Sequence, residues 1–265
     1  NLQQFAVFGE GTWRFADQWA ATVGARYYQY DEDRVLTFAG VFSAALGNLA
    51  GVTNNPGSVE SDGFSPRAIL SYDVNDDVKI NAQVARGFRL GGINDPLNEP
   101  LCGANDLALF GSIFSPTWED EKAWNYELGA KTELAGGRVQ FNSSVFYSDI
   151  ENLQANVDSG NCSSRIVVNV PKAHTLGVEA ELFAKPCDRW DFGIGPTWVE
   201  AEIDSDVTGI ATTPLAGMRE GNRMPTSPEL QGTASIGYQM RVFNTLEGFG
   251  VFSVQYVGSS FTQLA

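Results

Sequence analysis

The sequence predicts an all-β fold, a transmembrane antiparallel up-and-down β-barrel represented here by about ten strands, with short periplasmic turns and long extracellular loops. Three observations carry this. Hydrophobicity alternates with period two, connections alternate between short and long, and charges keep to one face of each strand. The clearest pair runs over 122–134 and 138–149 around Ala135, Gly136 and Gly137. Trp124, Tyr126, Leu128, Ala130, Thr132 and Leu134 share one face, while Asn125, Glu127, Gly129, Lys131 and Glu133 share the other. On the return strand Val139, Phe141, Val145 and Tyr147 oppose Arg138, Gln140, Asn142 and Ser144. Each face of such a strand sees a single environment, one apolar and one polar.

In chain order, the predicted strands are 4–14, 18–30, 63–73, 78–88, 122–134, 138–149, 164–170 continuing as 174–185, 190–202, 226–240 and 248–258. The connections 15–17, 74–77, 135–137, 186–189 and 241–247 are short; 31–62, 89–121, 150–163 and 203–225 are long. Strict alternation puts every long connection at one end. Outer-membrane barrels sort their loops in this way, whereas a soluble sandwich has no reason to. Strands of roughly 11–13 residues, rising about 3.3 Å per residue and tilted about 45°, cover about 25–30 Å, the thickness of a hydrocarbon core.

Aromatic placement and charge agree with this topology. Trp13, Phe15, Trp19, Tyr72, Trp190 and Phe192 flank short turns, as an interfacial girdle would. Arg26, Arg67, Lys79, Glu127, Lys131, Glu133, Arg138, Glu179 and Glu181 lie opposite the apolar stripe. A charge facing lipid at mid-bilayer would cost about 2–4 kcal/mol. Arg86, Glu200 and Glu202 break the parity of their strands, but all three lie towards the loop end, where that cost falls away.

Composition narrows the function. The formal charge is −15 and only 18% of residues are charged, so clustered phosphate-binding cations are lacking and nucleic acid is not an expected partner. No apolar run is long enough for a transmembrane helix, a fact without weight for a barrel. The chain starts at Asn1 and stops at Ala265 inside a strand-like run, and reads as part of a single barrel domain, 1–265.

Four stretches resemble TonB-dependent outer-membrane receptors. Residues 5–33 are similar to the family's strand–turn–strand with a closing Gly-x-Arg-Tyr. Residues 65–94 contain a Gly-Phe-Arg element at Gly87, Phe88 and Arg89, and residues 118–134 resemble its Tyr-Glu-x-Gly-x-Lys run. Residues 146–157 and 169–182 complete the likeness, in family order. The resemblance implies a barrel of about 22 strands around a plug domain. The plug, its TonB-contacting box and the terminal barrel strands, including a final aromatic, are expected to lie outside this chain. It implies a Gram-negative outer-membrane location and active import of a scarce small-molecule nutrient, such as a siderophore–iron complex. Loops would capture the ligand and the TonB complex, driven by the inner-membrane proton gradient, would act on the plug. A passive porin-like channel or structural barrel is the alternative.

Nothing in the sequence argues for an enzyme, a cofactor or a metal site. The only histidine, His174, lacks a neighbouring nucleophile or thiol spacing and reads as a rim residue. Acidic groups at 31–33, 73–77 and 119–121 lack the ligand spacing of a calcium loop. Cys102 and Cys162 both fall in long loops and could pair in an oxidising space; free thiols or another partner are the alternatives. Cys187 lies in a short turn at the opposite end. The candidate substrate residues cluster at the loop end. They are Arg86, Arg89 and Asn94 around the Gly-Phe-Arg element, Trp118 and Trp124 at the return of that loop, and Arg219 and Arg223 in 203–225. Arginine would pair with carboxylate or catecholate oxygens, and tryptophan would stack on a flat ligand. The competing reading makes them rim residues that anchor loops against lipid and lipopolysaccharide. The apolar runs 41–52 and 107–114 are expected to be small helices or loop-packing segments.

Overall fold

The computed structural model describes residues 1–39, 52–97, 99, 102–158, 162, 165–207, 218–243 and 246–261. Ten long strands form one antiparallel sheet in chain order: β1 (Leu2–Ala16), β2 (Trp19–Ala39), β3 (Val52–Asn75), β4 (Val78–Arg89), β7 (Glu121–Leu134), β8 (Val139–Asp158), β9 (Arg165–Cys187), β10 (Trp190–Ile203), β11 (Leu230–Phe243) and β12 (Leu246–Val257). The sheet is open, with β1 and β12 as its edges. Between β4 and β7 lie a two-stranded ribbon, β5 (Gly92–Ile93) with β6 (Thr117–Trp118), and one helix, α1 (Ala104–Ile113).

Register turns the sequence alternation into two surfaces. Direct cross-strand partners place Trp13, Ala21, Leu70, Ala82, Leu128, Val145, Val178, Trp198 and Leu230 in a single row. Every member is apolar, and Trp13, Leu70, Leu128, Val145, Val178, Trp198 and Leu230 are exposed. Large exposed apolar side chains in a continuous band mark a surface that meets something other than water; on a closed barrel that is lipid. The opposite face is polar and internally paired. Arg67 reaches Glu10 at 3.5 Å and Gln83 at 2.9 Å, Asp73 bridges Arg14 at 3.2 Å and Lys79 at 3.1 Å, and Asn142 donates to Glu181 at 3.4 Å. Phe146 is an aromatic exception on this face, where its ring lies over Gly177 and takes the space a Cβ would need.

The turn-side aromatics form two clusters, one on β1–β3 and one on β10–β11. Trp13 and Phe15 lie 5.4 Å apart between ring centroids, Phe15 and Trp19 6.4 Å, and Trp19 and Tyr72 4.5 Å. Trp190 contacts Phe192 at 6.0 Å and Tyr238 at 4.4 Å. The turn after β7 puts Ala135, Gly136 and Gly137 at φ 56°, 66° and 81°. Two glycines carry most of this left-handed bend without steric cost, and Ala135 carries the rest.

The strands outrun the sequence expectation. Segments read as loop, 31–39 and 52–62, are paired strand, with Arg34 opposite Gly57 and Leu36 opposite Asn55. The 150–163 connection is likewise strand up to Asp158, and β9 runs through Pro171 without a break. Above the membrane both faces meet water, so backbone pairing continues while the alternating side-chain signal disappears. In the other direction, β11 starts at Leu230 rather than 226, since Thr226 has φ 61° and Pro228 offers no N–H. The run 107–114 is largely α1; the run 41–52 lies outside the described residues except for Val52, the first residue of β3.

Candidate functional site

The loop end of the sheet carries its own core. Leu97 and Phe110 pack with Ile150, Leu153, Ala155, Cys162, Ile166, Val168, Val170, Ala173, Ile203 and Met218. Cys102 and Cys162 are disulfide-bonded, tying the segment before α1 to the β8–β9 connection. Cys187 is a free, exposed thiol at the β9–β10 turn. The loops therefore form a packed platform on extended β8 and β9.

Asn94 is the main polar tie of that platform. It is only 4% exposed. Its side-chain N–H groups donate to the carbonyls of Ser115 (2.9 Å) and Val167 (2.8 Å), and its Oδ1 accepts from the Val167 N–H at 2.8 Å. Three of its four side-chain hydrogen-bonding positions are spent on protein, which makes it a positioning residue. Trp118 packs its indole against Gly92 and is internal to the same loop. Arg86 lies over the Trp124 ring at 5.8 Å, a cation–π pair on the outward-facing parity of β4 and β7. Arg223 is held by Glu229 at 3.2 Å and the Ser227 carbonyl at 3.0 Å, and Arg219 is exposed on the 219–222 turn. The seven residues singled out from the sequence are thus not gathered into one site.

One of them, Arg89, borders a cleft of about 580 Å³. Its walls are Gln154, Asn156, Asp158 and Arg165 from β8 and β9, with Ile203 and the 224–226 segment opposite. Arg89 pairs with Glu121 and donates to the Gln154 carbonyl at 3.0 Å, yet its side chain stays 54% exposed. Gln154 fixes the cleft floor. Its side chain donates to the carbonyls of Leu90 (2.8 Å), Glu119 (3.1 Å) and Arg89 (3.2 Å), and its N–H donates to Glu121 at 2.8 Å. Asn169 accepts from the Glu119 N–H and donates to the Glu119 and Asn152 carbonyls. Two guanidinium groups, Arg89 held by this frame and Arg165 exposed on β9, suit an anionic ligand.

The sequence missed Gln154 and Asn169 because no pattern marks a polar residue whose partners are distant loop carbonyls, and Asp120 stood out only as part of the acidic run 119–121. Asp120 is 9% exposed; it accepts from Tyr28 Oη at 3.0 Å, the Ser61 hydroxyl and the Gly91 N–H at 2.7 Å. Tyr28 in turn stacks on Phe88 at 3.6 Å. Pairing of β3 with β4 ends at Arg67–Ala85, and this cluster closes the opening beyond it.

Comparison with known proteins accords with this architecture. A family model described as TonB dependent receptor-like, beta-barrel, matches residues 1–265. A probable TonB-dependent siderophore receptor, PiuA of Acinetobacter baumannii, is 20% identical over 142 residues, 53% of this chain and 18% of that protein. Among solved structures, the ferric yersiniabactin uptake receptor FyuA of Yersinia pestis superposes with a TM-score of 0.74 at 20% identity, over 99% of this chain and 35% of that one. The siderophore receptor PiuA of A. baumannii superposes with a TM-score of 0.66 at 16% identity, over 94% of this chain and 32% of that one. This chain thus spans about a third or less of the length of these relatives. With its whole length matched, the chain belongs to the TonB-dependent receptor-like β-barrel family, proteins of the Gram-negative outer membrane.

Proposed function

We propose that this chain forms part of the barrel wall and loop platform of an active importer for a scarce nutrient, a siderophore–iron complex or a ligand of similar chemistry. The loops capture the ligand at the cell surface. A plug domain and the TonB complex, energised by the inner-membrane proton gradient, then open a path along the polar face. No covalent chemistry enters this reading.

The observation that carries it is the cleft of about 580 Å³ bordered by Arg89 and Arg165 above a polar wall. Ferric siderophores present carboxylate, catecholate or hydroxamate oxygens, which a guanidinium recognises through paired N–H donors. Arg165 is exposed at the start of β9, opposite Asp158, and Arg89 keeps much of its surface open. The test is equilibrium binding of a panel of ferric siderophores to the full-length receptor in detergent, read by tryptophan fluorescence. Saturable binding of at least one, weakened about tenfold or more by Arg89→Ala with Arg165→Ala, supports the proposal. Binding unchanged in that double variant would move the site elsewhere.

A further inference from the structure

Two of the three exceptions to charge parity, Glu200 and Glu202, come together with the lone histidine on the outside of the sheet. His174 on β9 is the direct cross-strand partner of Glu202 on β10, and Leu176 is the partner of Glu200. Asp149 on β8 faces His174 from the other side. Each of His174, Glu200 and Glu202 offers a ligand atom, and these atoms lie within 4.8 Å of one another. All three are half-buried. Their parity is that of Val178 and Trp198, so they point away from the lumen. They also stand at the outer edge of the apolar belt. Glu202 is twelve residues beyond the turn-side Trp190, about 28 Å up a strand tilted by about 45°. Tyr147, stacked on His174 at 5.8 Å, and Tyr126 mark the interface at that height.

Two further features point to a cation. Asp204 lies 2.7 Å from His174 Nδ1. A carboxylate can only accept, so Nδ1 carries a proton towards Asp204; in the neutral imidazole this leaves the Nε2 lone pair free, the arrangement of a metal-binding histidine held by an outer carboxylate. The two glutamates are also unbalanced. Among the described residues neither has an ion-pair or side-chain hydrogen-bond partner, and the nearby Arg223, whose backbone bridges to Glu202, turns its guanidinium to Glu229 and Ser227 instead.

We propose that His174, Glu200 and Glu202 form a site for a divalent transition cation of the zinc class, with Asp204 as the positioning residue. One imidazole nitrogen and two carboxylates leave a coordination position open. The cation would neutralise the glutamates where the strand meets the outer interface and clamp β9 to β10 beneath the 203–225 connection.

The test is zinc titration of the full-length receptor in detergent after chelator treatment, followed by calorimetry and metal analysis. Expected are one zinc per chain, loss of that binding in Glu200→Gln with Glu202→Gln and in His174→Ala, and affinity weakened about 10- to 100-fold in Asp204→Asn. Glu179→Gln with Glu181→Gln, the same spacing on the lumen face without a histidine, should leave it unchanged. Heat-dependent gel mobility of each variant separates loss of the site from loss of the fold. Absence of stoichiometric zinc in the wild type, zinc retained in the folded glutamate double variant, or a preference for calcium would each overturn the proposal.

Discussion

Val145 and Ser144 are neighbours on β8 that the sheet sends to opposite sides. Val145 sits in the apolar row, 42% exposed in the isolated chain, between Leu128 and Val178. Ser144 pairs with Gly129 and Glu179 and lines a polar recess with Glu127, Lys131 and Asn142. Six residues separate Val145 from the strand start at Val139. At about 3.3 Å per residue and a tilt near 45°, that is about 14 Å, close to the middle of a band roughly 25 Å tall. Val145→Arg should therefore cost about 2–4 kcal/mol, a shift of about 30- to 700-fold in the folding equilibrium at about 1.4 kcal/mol per decade. Ser144→Arg should cost about 1 kcal/mol or less, since the new guanidinium meets water and Glu179. Reversible urea unfolding of the full-length receptor in phospholipid bilayers measures both. Equal penalties at the two positions would refute the assignment of the faces.

Other consequences follow from the loop platform. Reducing the Cys102–Cys162 bond should remove about 2–4 kcal/mol of local stability and raise amide exchange in α1 and residues 162–170, leaving β10–β12 unaffected. Asn94→Ala strands the Val167 N–H and two carbonyls in a buried setting and should destabilise the platform by about 2 kcal/mol or more, visible as faster proteolysis of the 89–121 segment. Gly177→Ala places a methyl where the Phe146 ring lies and should cost about 1–3 kcal/mol; a Phe146→Ala background should relieve much of that, in the same urea assay.

The barrel segment was legible because lipid imposes a strict rule on each side chain between the girdles. Leu128, Val145 and Val178 had to be apolar, and Lys131 and Glu179 had to face the other way. The alternating loop lengths then oriented the sheet. Above the membrane that rule lapses, so 31–39 and 52–62 pair as strands although their sequence reads as loop. The candidate site was less legible still. Asn94 and Trp118 were drawn from a loop that does hold polar and aromatic groups, but their contacts are internal. Gln154 and Asn169 contact carbonyls far away in the chain, and no local pattern encodes such partners. Glu200 and Glu202 were visible as parity exceptions; only the β9–β10 register brings His174 to them.

The reading of this chain as part of an energised importer is tested most directly by uptake of radiolabelled ferric siderophores into cells producing the full-length receptor, with and without an uncoupler and with and without functional TonB. The account predicts saturable uptake that is lost when either the proton gradient or TonB is removed. Uptake that persists at full rate under both conditions would contradict it and favour a passive channel.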